Sequence, residues 1–178
     1  MTKIQLYDLS FEKFIDRQEI KNRVEELAQQ IEDYYAHQAF ELICVMSGAF
    51  VFCSDLCRAL KSQRLIHFIK LNSYNGLESS GKVEMEALPQ DALKNKNIVI
   101  VEDIVETGLS LSSLKSRLME IGVNEVKIVS LFVKLECLQY DLIIDWSGFN
   151  IGHEFIVGYG LDYNQLGRGL PDIWRLSK

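Results

Sequence analysis

Residues 98–114 read IVIVEDIVETGLSLSSL, and this stretch decides the fold. Asn97 to Val101 is an apolar run without alternation, the pattern of a strand buried on both faces. It ends in two adjacent carboxylates, Glu102 and Asp103, followed by Glu106, Thr107, Gly108, Leu109 and Ser110. A helix is predicted from about Ser110 to Ile121, with Leu111, Leu114 and Leu118 on one face and Gly122 as its stop. A strand that delivers its chain into a helix start is α/β grammar. Hydroxyls, a flexible glycine and the free N–H groups of a helix start together make a phosphate cradle. Carboxylates beside a phosphate repel it unless they hold something else, and ribose hydroxyls or a hard cation suit them. The plain alternative is a strand-to-helix turn whose acids face water. A dinucleotide or Walker-type loop is excluded, because the glycine spacing and the Gly-Lys-Ser/Thr sequence are absent.

The same grammar extends outward. Ile20, Val24, Leu27, Ile31, Tyr34 and Tyr35 recur by threes and fours, marking an amphipathic helix, with Asp16 and Glu19 as its cap. Leu42 to Met46 is a buried strand that stops at Ser47-Gly48, and a helix follows from about Phe50 to Lys61. Leu65 to Leu71, Val83 to Ala87, Val126 to Val133 and Leu142 to Ile144 are further strands, with residues 72–82 as a polar loop. The expectation is a mainly parallel central sheet flanked by helices. Beyond Lys134 the chain is irregular and rich in glycine, which fits a cover over the carboxyl edge of the sheet, where such folds bind ligands.

Composition narrows the class. The chain has 178 residues, 48% apolar and 25% charged, an ordinary globular balance that excludes a disordered chain. The net charge of −6 is shared by both halves, so no basic face for nucleic acid is expected. Charges interrupt the amino terminus too early for a signal peptide, and no apolar run is long enough to span a membrane. Cytoplasmic localisation is expected. Cys44, Cys53, Cys57 and Cys137 are read as buried, reduced thiols. His37, His67 and His153 look isolated, in structural or exposed roles.

The joint pattern of buried strand, paired acids, Glu106 and Thr107-Gly108 resembles the ribose-phosphate signature of the phosphoribosyltransferases, which use phosphoribosyl pyrophosphate (PRPP). Over residues 8–170 the chain resembles the hypoxanthine(-guanine) branch of that family. The resemblance implies the type I phosphoribosyltransferase fold as one domain, 1–178. Its core would be about 20–134, and its small C-terminal hood mainly 135–178 with the N-terminal segment. It implies that Glu102, Asp103, Val105, Glu106, Thr107, Gly108, Leu109 and Ser110 hold the ribose and its 5′-phosphate. Met46-Ser47-Gly48-Ala49 resembles the loop that receives pyrophosphate, often with a cis peptide before its second residue. Ser47, Gly48 and Arg168 would bind pyrophosphate, and Ser73-Tyr74 matches a pair on the mobile loop that closes over the reaction. Lys134 matches the lysine on the six-oxo group of the purine, Phe155 the ring stacked on the base, and Ile156 the backbone that reads its edge. Asp162 would join the purine-binding residues and hold Mg²⁺ on pyrophosphate, with Glu102 and Asp103 as further metal ligands.

The reaction so implied is Mg²⁺-dependent purine salvage: hypoxanthine (and guanine) with PRPP gives IMP (GMP) and pyrophosphate. Glu106, Ser73, Tyr74 and Arg168 would be its catalytic residues, and a homodimer or homotetramer its assembly. The pattern departs from the family at three places. Glu106 stands where Asp is usual, Ser47 where Lys is frequent, and Leu109 where a polar residue is common. Each residue also has a plainer reading. Lys134 could snorkel from a strand end, Phe155 could be core, Ser73-Tyr74 could be turn chemistry, and Asp162 and Arg168 could be surface charges. A non-catalytic PRPP- or nucleotide-sensing regulator on the same fold, and a generic flavodoxin-like module, are the competing functions.

Overall fold

The computed structural model describes residues 3–73, 83–85 and 88–177. Its main sheet has six strands: β3 (Glu41–Met46), β4 (Ile66–Ser73), β5 (Val83–Met85), β6 (Asn97–Val105), β7 (Glu125–Val133) and β8 (Trp146–Asn150). The spatial order is β5-β4-β3-β6-β7-β8, all parallel except β5. From β3 the chain winds one way to β4 and the other way to β6 and β7. The carboxyl ends of β3 and β6 therefore flank the reversal of strand order, where crevices open in such sheets.

Helices cover both faces. On one lie α1 (Arg17–Tyr35) and α2 (Phe50–Ala59); on the other lies α4 (Leu109–Ile121), with the short α3 (Gln90–Leu93) beside it. Asp16 caps α1 by accepting from the Gln18 N–H at 2.8 Å, while Glu19 accepts from the Asp16 N–H at 3.3 Å. Ile20, Val24, Leu27, Ile31 and Tyr35 are buried as their spacing requires, and so are Leu111, Leu114 and Leu118 of α4. Each such aliphatic side chain contributes about 1.5–3 kcal/mol through burial. Gly122 ends α4 at φ +88°, a conformation that favours glycine.

A second sheet of four strands forms the hood. β1 (Lys3–Leu6) and β2 (Leu9–Ile15) come from the amino terminus, and β9 (Ile156–Val157) and β10 (Ile173–Leu176) from the carboxyl end. Their order is β1-β2-β10-β9, all antiparallel, over Phe11, Val157 and Trp174.

Three expectations are corrected. β6 runs through the acid pair to Val105, because β7 keeps pairing with it as far as Val133. Residues 142–144 form no strand: the last strand of the main sheet is β8, at 146–150, so that sheet takes in chain from beyond residue 134. Leu142 is instead buried beneath Gly108, and Asp145 accepts from the Ile128 N–H at 2.8 Å just before β8 begins. The third concerns the cysteines: Cys44 and Cys53 are buried, whereas Cys57 and Cys137 are partly exposed.

Candidate active site

At the carboxyl ends of β3 and β6 lies a cavity of about 360 Å³, lined by Val45, Met46, Gly48, Leu71 and every residue from Glu102 to Leu111. Val105, Glu106, Thr107, Gly108, Leu109 and Ser110 form its rim as one continuous segment. Gly108 has φ +85° and no side chain to cap α4; the Leu109 N–H donates to Thr107 Oγ1 at 3.4 Å, a long bond that leaves the start of the helix lightly capped. That is the chemistry of an anion seat.

The acids sit on its floor. Burial, with Asp103 beside it, pushes the Glu102 carboxyl well above the usual carboxylate range. Asp103 accepts from the Ile104 N–H at 2.8 Å and packs against the Ser47-Gly48 loop. A Cβ on Gly48 would lie 1.5 Å from Asp103 Oδ2, so any larger residue there must push the Asp103 carboxylate aside. The Met46–Ser47 peptide bond is cis.

The hood closes on the same loop. A Cβ on Gly160 would lie 2.1 Å from the Gly48 carbonyl oxygen. Arg168 Nη1 donates to the Gly160 carbonyl at 2.8 Å, and Arg168 Nη2 pairs with Asp162 Oδ1 at 2.7 Å. Asp103, Gly48, Gly160, Arg168 and Asp162 thus form an unbroken chain of contacts from β6 to the hood. Nothing in the sequence marked Gly160, because its role is a close approach to a residue more than a hundred positions away.

Lys134 follows β7, and its backbone N–H donates to the Val105 carbonyl at 2.9 Å. This register brings its buried side chain to Glu106, and Nζ pairs with Glu106 Oε1. Phe155 is elsewhere. Its ring is 42% exposed, packs 6.2 Å from Phe11 and 5.9 Å from Tyr163, and is not on the wall of the β3/β6 cavity. Lys134 and Phe155 therefore do not share one enclosed space. Ile156 is buried in β9. Ser73 ends β4, paired with Val83, while Tyr74 lies outside the described residues.

Among the described residues no three His, Cys, Asp or Glu side chains converge to hold a metal by themselves. The adjacent carboxylates of Glu102 and Asp103 still fit Mg²⁺, which is commonly bound through one or two carboxylates together with substrate oxygens. A larger cavity of about 910 Å³ lies between α1, α2 and the hood. Its arginines are paired, Arg17 with Asp172, Arg58 with Asp55 and Arg168 with Asp162. No helix among the described residues is long and apolar enough to cross a membrane.

Known proteins share this sequence pattern and fold. The family model for the phosphoribosyl transferase domain matches residues 11–164. A hypoxanthine phosphoribosyltransferase from Buchnera aphidicola subsp. Schizaphis graminum is 38% identical over 91% of this chain and 93% of its own. A hypoxanthine-guanine phosphoribosyltransferase from Aquifex aeolicus is 32% identical over 92% of this chain and 93% of its own. The crystal structure of a hypoxanthine-guanine phosphoribosyltransferase from Bacillus anthracis superposes with a TM-score of 0.88 at 36% identity, covering 93% of this chain and 98% of that one. These relatives are named as transferases, and neither a non-catalytic regulator nor a generic flavodoxin-like module finds support among them. By sequence and by fold, the chain belongs to the phosphoribosyl transferase family, among its hypoxanthine and hypoxanthine-guanine enzymes.

Proposed function

We propose that the chain transfers the phosphoribosyl group of PRPP to hypoxanthine, and to guanine, giving IMP or GMP and pyrophosphate in purine salvage. The observation that carries this is a buried Lys134 held beside Glu106, which lies on the rim of the β3/β6 cavity. In this reading residues 106–110 hold the 5′-phosphate, and Glu102 and Asp103 hold the ribose hydroxyls. The backbone of Ser47-Gly48 and the Arg168 guanidinium, which keeps donors beyond its two present contacts, stabilise the leaving pyrophosphate. Mg²⁺ held by Glu102 and Asp103, and by Asp162 on the pyrophosphate side, would supply neutralising positive charge there.

Lys134 donates to a six-oxo group, which favours hypoxanthine and guanine over adenine, whose amino group is itself a donor. Glu106 then accepts the purine proton released as the ring nitrogen attacks C1. Binding of the base requires Lys134 to exchange Glu106 for the purine oxygen, which frees the carboxylate for that proton. In this reading Phe155 stacks on the base, Ile156 reads its edge, and Ser73 and Tyr74 act in catalysis. Cytoplasmic localisation and a homodimer or homotetramer complete the reading. The 910 Å³ groove with its exposed Phe50 offers a face for the second copy.

The test is IMP formation from hypoxanthine, PRPP and Mg²⁺, with adenine as the control. Product with hypoxanthine and none with adenine is expected. PRPP binding without turnover of any six-oxo purine would overturn the proposal.

A further inference from the structure

The hood places one side chain in the helical layer behind the Ser47-Gly48 loop. Tyr159 is buried in the same apolar core as Ala49, Phe52 and Leu56, and its hydroxyl donates to Asp55 Oδ2, across 104 positions. Asp55 lies midway along α2, the helix that starts directly after Ser47-Gly48-Ala49. Burial first, and then Asp55, pushes the Tyr159 hydroxyl far above its ordinary range, so it stays a neutral donor. The backbone is bent to deliver it. Gly158, Tyr159 and Gly160 have φ of +107°, +48° and +104°. A tyrosine keeps that conformation only where its surroundings hold it there. Here Gly158 and Leu161 close the turn by exchanging backbone hydrogen bonds of 3.0 and 2.9 Å, and the Tyr159 N–H donates to the Leu170 carbonyl at 2.7 Å.

This turn stands between two segments with assigned tasks. Ile156, given the purine edge, precedes Tyr159 by three positions, and Asp162, given the pyrophosphate side, follows it by three. Gly160 already approaches the Gly48 carbonyl so closely that a Cβ would lie 2.1 Å from it. A close approach of this kind limits how near the hood can come to the loop, but it does not stop the two from drifting apart. The Tyr159–Asp55 hydrogen bond opposes separation, and it does so at a second point along the helix that carries the loop. Two such points fix both the distance and the angle of the hood over the loop.

We infer that Tyr159, through its hydrogen bond to Asp55, is a positioning residue that fixes the purine-reading segment against the pyrophosphate loop and so aligns the attacking nitrogen, C1 and the leaving group. The inference rests on the function proposed above. Neither Tyr159 nor Asp55 is assigned a contact with a substrate, so each subsite keeps its own groups when the bond is lost. What changes is the placement of one subsite against the other. That placement is felt where both must act at once, in the transition state. The loss therefore falls on the chemical step and not on KM.

The experiment compares variants of the full chain on both sides of the bond. Tyr159→Phe keeps the buried ring and removes only the hydroxyl. Its single-turnover rate with hypoxanthine and PRPP, which product release does not mask, is expected to fall at least about tenfold, with both KM values within about threefold of the parent. Asp55→Ala should show the same loss, and Asp55→Asn, which keeps an acceptor oxygen, should recover most of it. The double variant Tyr159→Phe/Asp55→Ala should be no slower than the slower single one. Arg58, exposed and paired with Asp55, is the control, and Arg58→Ala should keep the parent rate. Amide hydrogen exchange followed by mass spectrometry should quicken in Tyr159→Phe in peptides covering residues 46–52 and 156–162. A lower Tm with an unchanged single-turnover rate would make the bond merely structural and overturn the inference. So would additive losses in the double variant, an equal loss in Arg58→Ala, or unchanged exchange in both segments. If the parent itself makes no IMP, the proposed function has failed, and the exchange measurement still decides whether the hydroxyl joins the two segments.

Discussion

The β6–α4 segment and the hood meet at one place but are built in opposite ways. The first is contiguous: residues 102–111 line the cavity in unbroken order, shaped by backbone, by Gly108 and by the end of a parallel strand. The hood is assembled from distant pairs. Arg17 donates to Asp172 from Nε at 3.1 Å and from Nη2 at 2.9 Å, across 155 positions, and β2 pairs with β10 to join the two chain ends. A contiguous cradle keeps its shape through local geometry. A cover made of long-range pairs keeps its shape only while those pairs hold.

The strongest way to break the contrast is at the seam. Gly48→Ala places a Cβ against the Asp103 carboxylate, and Gly160→Ala places one against the Gly48 carbonyl at φ +104°. The first displaces the Asp103 carboxylate or the loop beside it and the second displaces the loop, and a displacement of about 1 Å costs roughly 100-fold in rate. The expected result is at least that loss in kcat/KM for PRPP, with secondary structure retained by circular dichroism. Near-normal kinetics in Gly48→Ala would mean that the loop is not where pyrophosphate is received. Next in size is the Glu106–Lys134 pair. Glu106→Gln should lower kcat with hypoxanthine by about 100-fold, within the usual range for loss of one proton-transfer group, while the KM for PRPP changes little. Lys134→Ala should erode the preference for hypoxanthine over adenine, read as a ratio of kcat/KM values.

The same contrast explains what was legible in the sequence. Buried runs such as Leu42–Met46 and Asn97–Val101, and the leucine stripe of α4, are local patterns, so the parallel sheet and the turn from β6 into α4 could be read directly. The amino-terminal strands could not be read, because Lys3–Leu6 and Leu9–Ile15 acquire their partners only from each other and from β10. The placement of a strand at 142–144 failed for a related reason. An apolar triplet says that it is buried, not whether by a strand partner or, as with Leu142, beneath a glycine. At the site, the residue types around Thr107 announced their chemistry, whereas the Arg168–Asp162 pair and the exposed setting of Phe155 depend on how the hood folds back. His153 looked isolated because Cys137, 3.4 Å from its Nδ1, and Glu136, 3.3 Å from its Nε2, come from a different turn.

A smaller effect sharpens the hood side. Arg17, with Lys13, holds the buried Asp172 carboxyl far below its usual range. Its proton affinity is lower folded than unfolded, so the pair stabilises above the unfolded value of about 4 and this contribution is lost as pH falls below it. Asp172→Asn should cost about 2 kcal/mol at neutral pH, a figure held low because Arg17 and Lys13 are themselves partly exposed. The variant should also show a shallower decline in Tm between pH 4 and pH 2 than the parent. Parallel acid limbs would mean that the pair does not anchor the hood.

The smallest expected effect has the opposite sign and comes from the cradle. Glu102 is buried with its carboxyl pushed above the usual range, first by burial and then by Asp103. The folded chain therefore binds this proton more tightly than the unfolded chain, and stability declines as pH rises from about 4 through the folded value. Glu102→Gln removes that penalty, so without substrate its Tm at neutral pH should rise by a few degrees, the scale of about 1 kcal/mol in a domain of this size. The same change should raise the KM for PRPP, because the carboxylate that burdens the empty fold is the one assigned to the ribose and its cation. A gain in stability at the expense of binding is what a site built for its ligand produces. If Glu102→Gln instead lowers Tm and leaves the KM for PRPP untouched, Glu102 is a structural acid, and ribose recognition falls to Asp103 alone.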